Sequence, residues 1–153
     1  MSENEDLGIV INLIVPNSLE AIEFYKKAFS AEEISKYMTP DGSVMHAAIK
    51  IIGEDVYLND SFEDSGVLSP SELGGCPLNI WLRVDDPDKL YKQAVDAGCK
   101  VTMEIDDMFW GDRMGGVVDP YGYMWTIAKT IEDVDEEELE RRTKEFFKEM
   151  ESM

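Results

Sequence analysis

The feature that most constrains the fold is an internal repeat, in which one succession of strands and a helix occurs twice. Ile9–Val15 is a short apolar run rich in β-branched residues and stopped by Pro16, which is typical of a buried strand, and Asn79–Val84 repeats it. Val15 and Val84 stand at matching points of the two copies, 69 residues apart. A solenoid needs about three repeats or more, so two copies of this size indicate a duplicated half-domain.

The first copy, residues 8–60, has the order βαβββ. Asn17 is suited to cap a helix, with Glu20 completing a capping box, and apolar residues then recur at helical spacing until the helix ends near Ser30. Turn residues separate the segments that follow, which are predicted as the strands Glu32–Met38, Val44–Ile52 and Asp55–Asp60.

The second copy, residues 77–130, follows a Ser-, Gly- and Pro-containing stretch, residues 61–76, that is typical of a linker. Its helix begins at Pro87 and ends at Gly98, and the predicted strands after it are Lys100–Ile105, Arg113–Val118 and Tyr123–Lys129. We therefore predict an α+β fold for one domain, residues 1–153. In it the two βαβββ modules pair into a curved mixed-sheet cup with the helices outside.

The tail, residues 135–152, is predicted to be an amphipathic helix. Asp135 and Glu138 are spaced as a cap pair, and one helical face then carries Leu139, Phe146, Phe147 and Met150. A stripe this narrow is typical of a helix that docks on its own domain or on a dimer partner.

Net charge limits the possible partners. The 33 acidic and 14 basic residues give a formal charge of −19, which opposes binding to nucleic acid and to anionic membranes. The charge is open to two interpretations, attraction of cationic ligands or plain solubility. Its concentration in Met1–Asp6 and in Glu132–Glu140 favours solubility.

Composition also bears on location. No stretch approaches the roughly 20 apolar residues of a membrane helix, and Met1–Asp6 is acidic where a signal peptide would be basic. We therefore expect a cytoplasmic protein. Cys76 and Cys99 have no metal-type spacing and are predicted to be reduced thiols without assigned chemistry.

Two motifs resemble a known family. Leu13–Asn17 followed by Ala21–Phe29 resembles the opening strand and helix of the vicinal oxygen chelate superfamily, which includes glyoxalases, bleomycin-resistance proteins and extradiol dioxygenases. Asp119–Trp125 resembles the closing strand, and the likeness covers about Ile9 to Lys129. The resemblance implies paired βαβββ modules, frequent homodimers and a cup that holds either a divalent metal or an organic ligand.

Other segments are similar to one branch of that superfamily, named after a phosphonate-operon protein of unsettled function. They are Pro40–Gly42 leading to Val44–His46, the stretch Trp110–Arg113, and the acidic tail helix.

The family's metal positions can be carried over by the flanking motifs. In the glyoxalase branch, His or Glu ligands come from the first and fourth strands of each module, and the resemblance places these positions at Val10, Tyr57 (or Asn59), Asn79 and Thr126. None of these residues is a histidine or a carboxylate, which the divalent metals of this class need. We predict no tightly bound metal and no cofactor.

Period-two alternation along the strands predicts what lines the cup instead. Met45, Ala47, Ile49 and Ile51 make an apolar face suited to packing under helices, which turns His46, Ala48 and Lys50 toward the cup. The residues predicted to bind a ligand are Tyr57, Asn59, Asn79, Trp81, Arg83, Trp110 and Arg113, with Asn12 beside them. His46, the only histidine in the chain, is the candidate catalytic residue.

Three of these residues also have a structural interpretation. His46 could be a hydrogen-bonded structural residue, Trp81 could plug the cup, and Arg113 could form an ion pair with Asp112 that holds the loop before it. For Trp110, which precedes Gly111 on a loop, the functional interpretation is a lid. Two further expectations are structural: Gly115 and Gly116 mark a bulge or a close strand approach, and Trp125 belongs to the core.

Two functions of different class follow. The first is a metal-free protein that sequesters or carries a small organic molecule, as drug-resistance members of the superfamily do, and its acidity would favour a basic ligand. The second is a metal-independent isomerase or lyase in which His46 moves a proton and Lys50, Arg83 or Arg113 stabilises a developing anion. The glyoxalase I reaction is a poorer third option because it relies on the metal.

Overall fold

Two four-stranded sheets, one in each half of the chain, form the framework of the protein. The computed structural model describes residues 7–153, so the acidic segment Met1–Asp6 lies outside the described residues. The chain divides into two compact units, Met1–Pro77 and Leu78–Met153. Each unit contains one βαβββ module, which confirms the predicted α+β repeat.

The first module has the strand order β1-β4-β3-β2, with β1 and β4 parallel and the other pairs antiparallel. Its elements are β1 (Ile11–Val15), α1 (Ser18–Phe29), β2 (Glu32–Met38), β3 (Val44–Ile51) and β4 (Glu54–Asp60). The Asn17 side chain caps α1 by accepting a hydrogen bond from the Glu20 backbone N–H at 3.2 Å, as predicted.

The predicted boundary of β1 is wrong by two residues. Ile9 is 98% exposed, and the parallel ladder begins only where Ile11 faces Val56. An apolar pattern marks residues that are able to be buried, whereas a strand needs a partner to hydrogen-bond. Ile9 therefore lies outside the sheet despite its β-branched side chain.

The segment predicted as a linker contains two short helical elements. A 3₁₀ turn covers Glu63–Ser65 and α2 covers Pro70–Leu73. The Ser69 backbone N–H donates to the Glu72 carboxylate at 3.1 Å, and Pro70 occupies the first helical position. Ser69 and Glu72 are spaced as a capping pair, and Gly74 ends the helix after one turn. The Gly- and Ser-rich composition of the segment hid this signal in the sequence.

The second module repeats the topology, with the order β5-β8-β7-β6 and with β5 and β8 parallel. Its elements are β5 (Asn79–Arg83), α3 (Pro87–Ala97), β6 (Lys100–Asp107), β7 (Asp112–Val118) and β8 (Met124–Thr130), followed by the tail helix α4 (Glu136–Glu151). The Pro87 start and the Gly98 end of α3 are both as predicted. Among the described residues, no helix has the length and apolarity to span a membrane.

Gly115 and Gly116 mark a close approach, which confirms one of the two interpretations of this pair. A Cβ atom on Gly115 would lie 2.8 Å from the Tyr91 ring of α3, and one on Gly116 would lie 2.6 Å from the Thr102 hydroxyl. The irregular register is in β6 instead, around Met103.

The tail helix packs on its own module. The Arg142 guanidinium donates to the Phe109 carbonyl at 3.1 Å and forms ion pairs with Glu132 and Glu138. The Phe146 ring lies 4.9 Å from the Phe109 ring, centroid to centroid. These contacts join the helix to its own module, while Phe146, Phe147 and Met150 of the predicted apolar stripe stay 41%, 56% and 53% exposed. Docking of this stripe on a dimer partner stays a prediction.

A buried carboxylate organises the turn before β8. Asp119 is 4% exposed and accepts hydrogen bonds from the backbone N–H groups of Tyr121 and Tyr123, at 2.9 and 3.0 Å. Its other oxygen accepts from the Trp125 indole N–H at 2.9 Å, and Trp125 is a core residue as predicted. The carboxylate thus fixes both the turn and the largest fully buried side chain.

We expect Asp119→Asn to lower the free energy of unfolding by about 2–4 kcal/mol. The reason is that the side-chain NH₂ group of Asn would stand opposite the Trp125 indole N–H, which is also a donor. Urea denaturation followed by circular dichroism measures this change. Asp41→Asn, in the exposed turn between β2 and β3 of the first module, is the control and should cost less than about 1 kcal/mol. Equal losses in the two variants would contradict the account of Asp119.

The carboxylate of Glu138 gives a pH-dependent test of the tail helix. Hydrogen bonds from Arg141 and Arg142 lower its pKa from the ordinary 4.5 to about 2. Because the pKa is lowered in the folded state, these ion pairs stabilise the helix above pH 4.5 and are lost as the pH falls toward 2.

We expect the Glu138 carboxyl carbon to titrate in NMR spectra with a midpoint near 2. Replacing both Arg141 and Arg142 by Gln should move that midpoint back toward 4.5. A wild-type midpoint at the ordinary value would show that the ion pairs do not form.

Candidate functional site

The first sheet has one face under α1 and one face away from it. Leu13, Ala47, Ile49 and Leu58, all fully buried, form the face under the helix. Alternation places the next residues of the same strands on the opposite side, which we call the helix-free face of the first sheet. It carries Asn12, Tyr37, His46, Ala48, Lys50, Tyr57 and Asn59. All of these except Tyr37 were predicted to point toward the cup.

Three rings form a continuous row across β2, β3 and β4 on this face. The His46 and Tyr57 rings meet edge to face with centroids 4.7 Å apart, and the Tyr37 ring stacks on the other side of His46 at 6.1 Å. Tyr37 is 62% exposed, while His46 and Tyr57 are partly exposed. We call Tyr37, His46 and Tyr57 the aromatic row.

Two amides extend the row onto β1. The Asn12 side-chain N–H donates to the Asn59 side-chain oxygen at 2.7 Å, and the Asn59 N–H donates to the Asp60 carbonyl at 2.9 Å. Asn12 lies directly opposite Tyr57 in the parallel ladder. The face therefore passes from aromatic to amide groups within the width of one sheet.

A cavity of about 230 Å³ adjoins the row at Tyr57. Its remaining lining comes from the chain before β1 and from the β3–β4 hairpin: Leu7, Gly8, Ile9, Val10, Lys50, Gly53, Glu54 and Asp55. The Lys50 ammonium group donates to the Asp55 carboxylate at 2.7 Å. Lys50 is therefore not a free cation on the wall of this cavity. This volume is smaller than the roughly 300–1,000 Å³ of pockets for drug-sized molecules, so it suits one ring of a ligand.

His46 has ring neighbours but no carboxylate partner. Neither ring nitrogen has a hydrogen-bond partner among residues 7–153, which leaves both able to bond a ligand or water. A histidine that serves as a general base is usually held by a carboxylate or a carbonyl group, which fixes its tautomer.

The second sheet has a helix-free face of its own. Ile80, Leu82, Trp125 and Ile127 are buried on the helix side, so Asn79, Trp81 and Arg83 of β5 lie on the other side. All three are exposed, with Trp81 at 47%. The Thr126 hydroxyl donates to the Asn79 side-chain oxygen at 3.0 Å, which satisfies both groups. The structure therefore brings the three β5 candidates together.

Arg113 of β7 lies on the helix side of the second sheet, opposite to the helix-free face that carries Asn79, Trp81 and Arg83. Its neighbour two residues on, Gly115, contacts Tyr91 of α3, and its guanidinium binds Asp88 of that helix at 2.7 Å and Asp107 at 2.9 Å. The hydrogen bond from Arg113 lowers the pKa of the Asp88 carboxyl. The predicted Asp112–Arg113 ion pair is wrong, because the two side chains point to opposite sides of the strand.

Asp112 instead holds Trp110. The Trp110 indole N–H donates to one oxygen of Asp112 at 3.0 Å, and the Thr130 hydroxyl donates to the other oxygen at 3.0 Å. The Phe109 ring packs edge to face against Trp110 at 5.1 Å. These contacts tie Trp110 to the loop and to β7.

The residues at the family's metal positions do not fit a divalent metal. Val10 and Tyr57 line the cavity of the first module, and Asn79 and Thr126 hydrogen-bond to each other in the second. Val offers no donor atom, while neutral hydroxyl and amide groups make a weak first shell. Within residues 7–153, no three His, Cys, Asp or Glu side chains are grouped so that they could hold a metal ion.

One member of the aromatic row, Tyr37, escaped the sequence analysis. Strand β2 is exposed on both sides along nearly its whole length, so its sequence has no apolar alternation that would assign Tyr37 to a face. Only the ladder shows it opposite His46. The same ladder corrects Met45, which was expected under the helix but is 63% exposed, because it is the extra residue of a bulge.

Comparisons with known proteins agree with the fold. The chain is 36% identical to an uncharacterized protein of Mycobacterium bovis over 143 residues, which cover 92% of this chain and 94% of that one. The crystal structure of TioX from Micromonospora sp. ML1 superposes with a TM-score of 0.64 at 19% identity, covering 81% of this chain and 98% of TioX.

A structure described as a putative 3-demethylubiquinone-9 3-methyltransferase, PhnB protein, from Bacillus cereus superposes with a TM-score of 0.62. It is 17% identical and covers 80% of this chain and 99% of its own. The sequence profile of the Glyoxalase/Bleomycin resistance protein/Dioxygenase superfamily matches residues 9–127. The resemblance seen in the strand and helix motifs is thereby confirmed, and the chain belongs to this superfamily.

Proposed function

We propose that this protein binds a small organic molecule without a metal ion, and that the aromatic row and the adjoining cavity of the first module form the binding surface. The single observation that carries this proposal is the arrangement at Tyr57, whose ring contacts His46 on one side and lines the cavity. Partly exposed rings beside a cavity are the usual makeup of a small-molecule site.

The composition of the surface indicates the kind of ligand. The aromatic row offers ring faces and edges for stacking, while His46 and the Asn12–Asn59 amide pair offer hydrogen bonds in fixed positions. Among residues 7–153 the cavity is lined by one cation, Lys50, which pairs with Asp55, and by one further carboxylate, Glu54. The surface therefore disfavours an anion and suits a planar molecule that is neutral where it meets the first module.

Sequestering or carrying the ligand is proposed ahead of an isomerase or lyase reaction. Proton transfer by His46 would need a fixed tautomer, and no carboxylate among the described residues holds its ring. Tyr37 and Tyr57 instead hold the ring by its faces and edges, which suits contact with a ligand.

The proposed binding can be measured through the single histidine of the chain. Because His46 is the only one, its ring Cε1–H signal in a proton–carbon NMR spectrum needs no further assignment. We expect 2-naphthamide, a neutral planar probe, to shift this signal in a saturable titration. Tyr37→Leu and Tyr57→Leu should each weaken the affinity about twofold to twelvefold, which corresponds to the stacking energy of about 0.5–1.5 kcal/mol.

Phe147→Leu is the matched control, since Phe147 is 56% exposed and Tyr37 is 62% exposed. This control should bind the probe as the wild type does. A His46 signal that does not respond to the probe would contradict the proposal, as would equal effects of Tyr37→Leu and Phe147→Leu.

The absence of a resident metal is a separate prediction. We expect elemental analysis of protein purified without added metal to find Zn, Ni, Mn and Fe each far below one atom per chain, because the four family positions carry Val10, Tyr57, Asn79 and Thr126. A stoichiometric amount of any of these metals that survives gel filtration would contradict the proposal. A homodimer and a cytoplasmic location stay predictions.

A further inference from the structure

Arg83 differs from the other three arginines of the chain. Arg113, Arg141 and Arg142 each hold carboxylates in short ion pairs, at 2.7 Å in the case of Arg113 with Asp88. Arg83 is exposed on β5 and has neither an ion pair nor a side-chain hydrogen bond among the described residues. Its planar group of five N–H donors is therefore available.

An unpaired arginine is unexpected in a chain with 33 carboxylates and 14 cations. Two acidic groups of the same module have other partners. Asp112 on the same face accepts from Trp110 and Thr130, and Asp86 caps α3 by accepting from the Lys89 backbone N–H. Neither carboxylate pairs with Arg83, which thus presents an exposed positive charge on the helix-free face of the second sheet.

Trp81 lies beside Arg83 on that face. The two residues are separated by one position in β5, so their Cα atoms are about 7 Å apart and their side chains lie on the same side of the sheet. Trp81 is half exposed, whereas the indole N–H groups of Trp110 and Trp125 donate to Asp112 and Asp119. The Trp81 N–H has no acceptor within the described part of the chain.

We infer that Trp81 and Arg83 form a second binding surface, on the second module, for a planar compound that carries a carboxylate. The indole face stacks on the ring of the compound, and the guanidinium group donates two parallel hydrogen bonds to the carboxylate. This inference goes beyond the proposed function, which concerns a neutral planar group on the first module. It also opposes the expectation from net charge that a basic ligand is preferred.

The experiment compares three probes that share one ring system: 2-naphthoate, 2-naphthamide and 2-naphthylmethylamine, which are anionic, neutral and cationic. The signal is the Trp81 indole N–H cross-peak in a proton–nitrogen spectrum, identified by its loss in Trp81→Phe. Titrations at about 0.15 M salt reduce the long-range repulsion between the −19 chain and the anion. We expect 2-naphthoate to bind at least fivefold more tightly than the other two probes.

Arg83→Gln should bring the affinity for 2-naphthoate down to that for 2-naphthamide. Arg83→Lys should retain part of the preference, because it keeps the charge but loses the paired hydrogen bonds. Lys89→Gln removes an exposed cation of the same module that has no ion pair among the described residues, and it should bind as the wild type does. An unchanged Trp125 indole signal verifies that each variant is folded.

The inference fails if 2-naphthamide or 2-naphthylmethylamine binds as tightly as 2-naphthoate, if Arg83→Gln and Lys89→Gln have equal effects, or if no probe shifts the Trp81 signal. The His46 signal is read in the same titrations. A shift at His46 without a shift at Trp81 would overturn this inference and leave the proposed function standing. A shift at Trp81 without a shift at His46 would support this inference and overturn the proposed function.

Discussion

The parallel pairing of the first and last strands of each module is the constraint on which the candidate sites depend. In the first module Asn12 faces Tyr57 and Leu13 faces Leu58, so one register sets both the polar face and the buried face. Because side chains alternate with a period of two, a slip of one residue would exchange the two faces completely. Burial of the apolar face under the helix therefore also fixes the positions of the exposed rings.

The same register determines which residues stand at the family's metal positions. Tyr57 and Thr126 occupy matching places in the two modules, each on the strand that pairs with the module's first strand. In the first module the Tyr57 ring borders a cavity, and in the second Thr126 is bonded to Asn79. Both modules thus present organic groups at positions where the resemblance implies metal ligands.

Alternation in the sequence predicted His46, Tyr57 and Trp81 correctly on helix-free faces. Tyr57 and Trp81 are flanked on both sides by buried apolar residues, and His46 is followed by the buried Ala47. It failed at Arg113, because the next positions on that strand include Gly115 and Gly116, which have no side chains to mark a face. It also missed Tyr37, whose strand is exposed on both sides. The sequence assigns a side chain to a face only where burial imposes apolar alternation on the strand. Elsewhere the assignment needs the strand register of the structure.

The central claim is that the protein holds an organic molecule and not a metal. Native mass spectrometry of the intact protein, taken directly from the cells that produce it and without added ligand, tests this claim most directly. The account predicts a species heavier than the polypeptide by the mass of one organic compound, which gentle activation releases. A species heavier by the mass of a divalent metal ion, retained on activation, would contradict it.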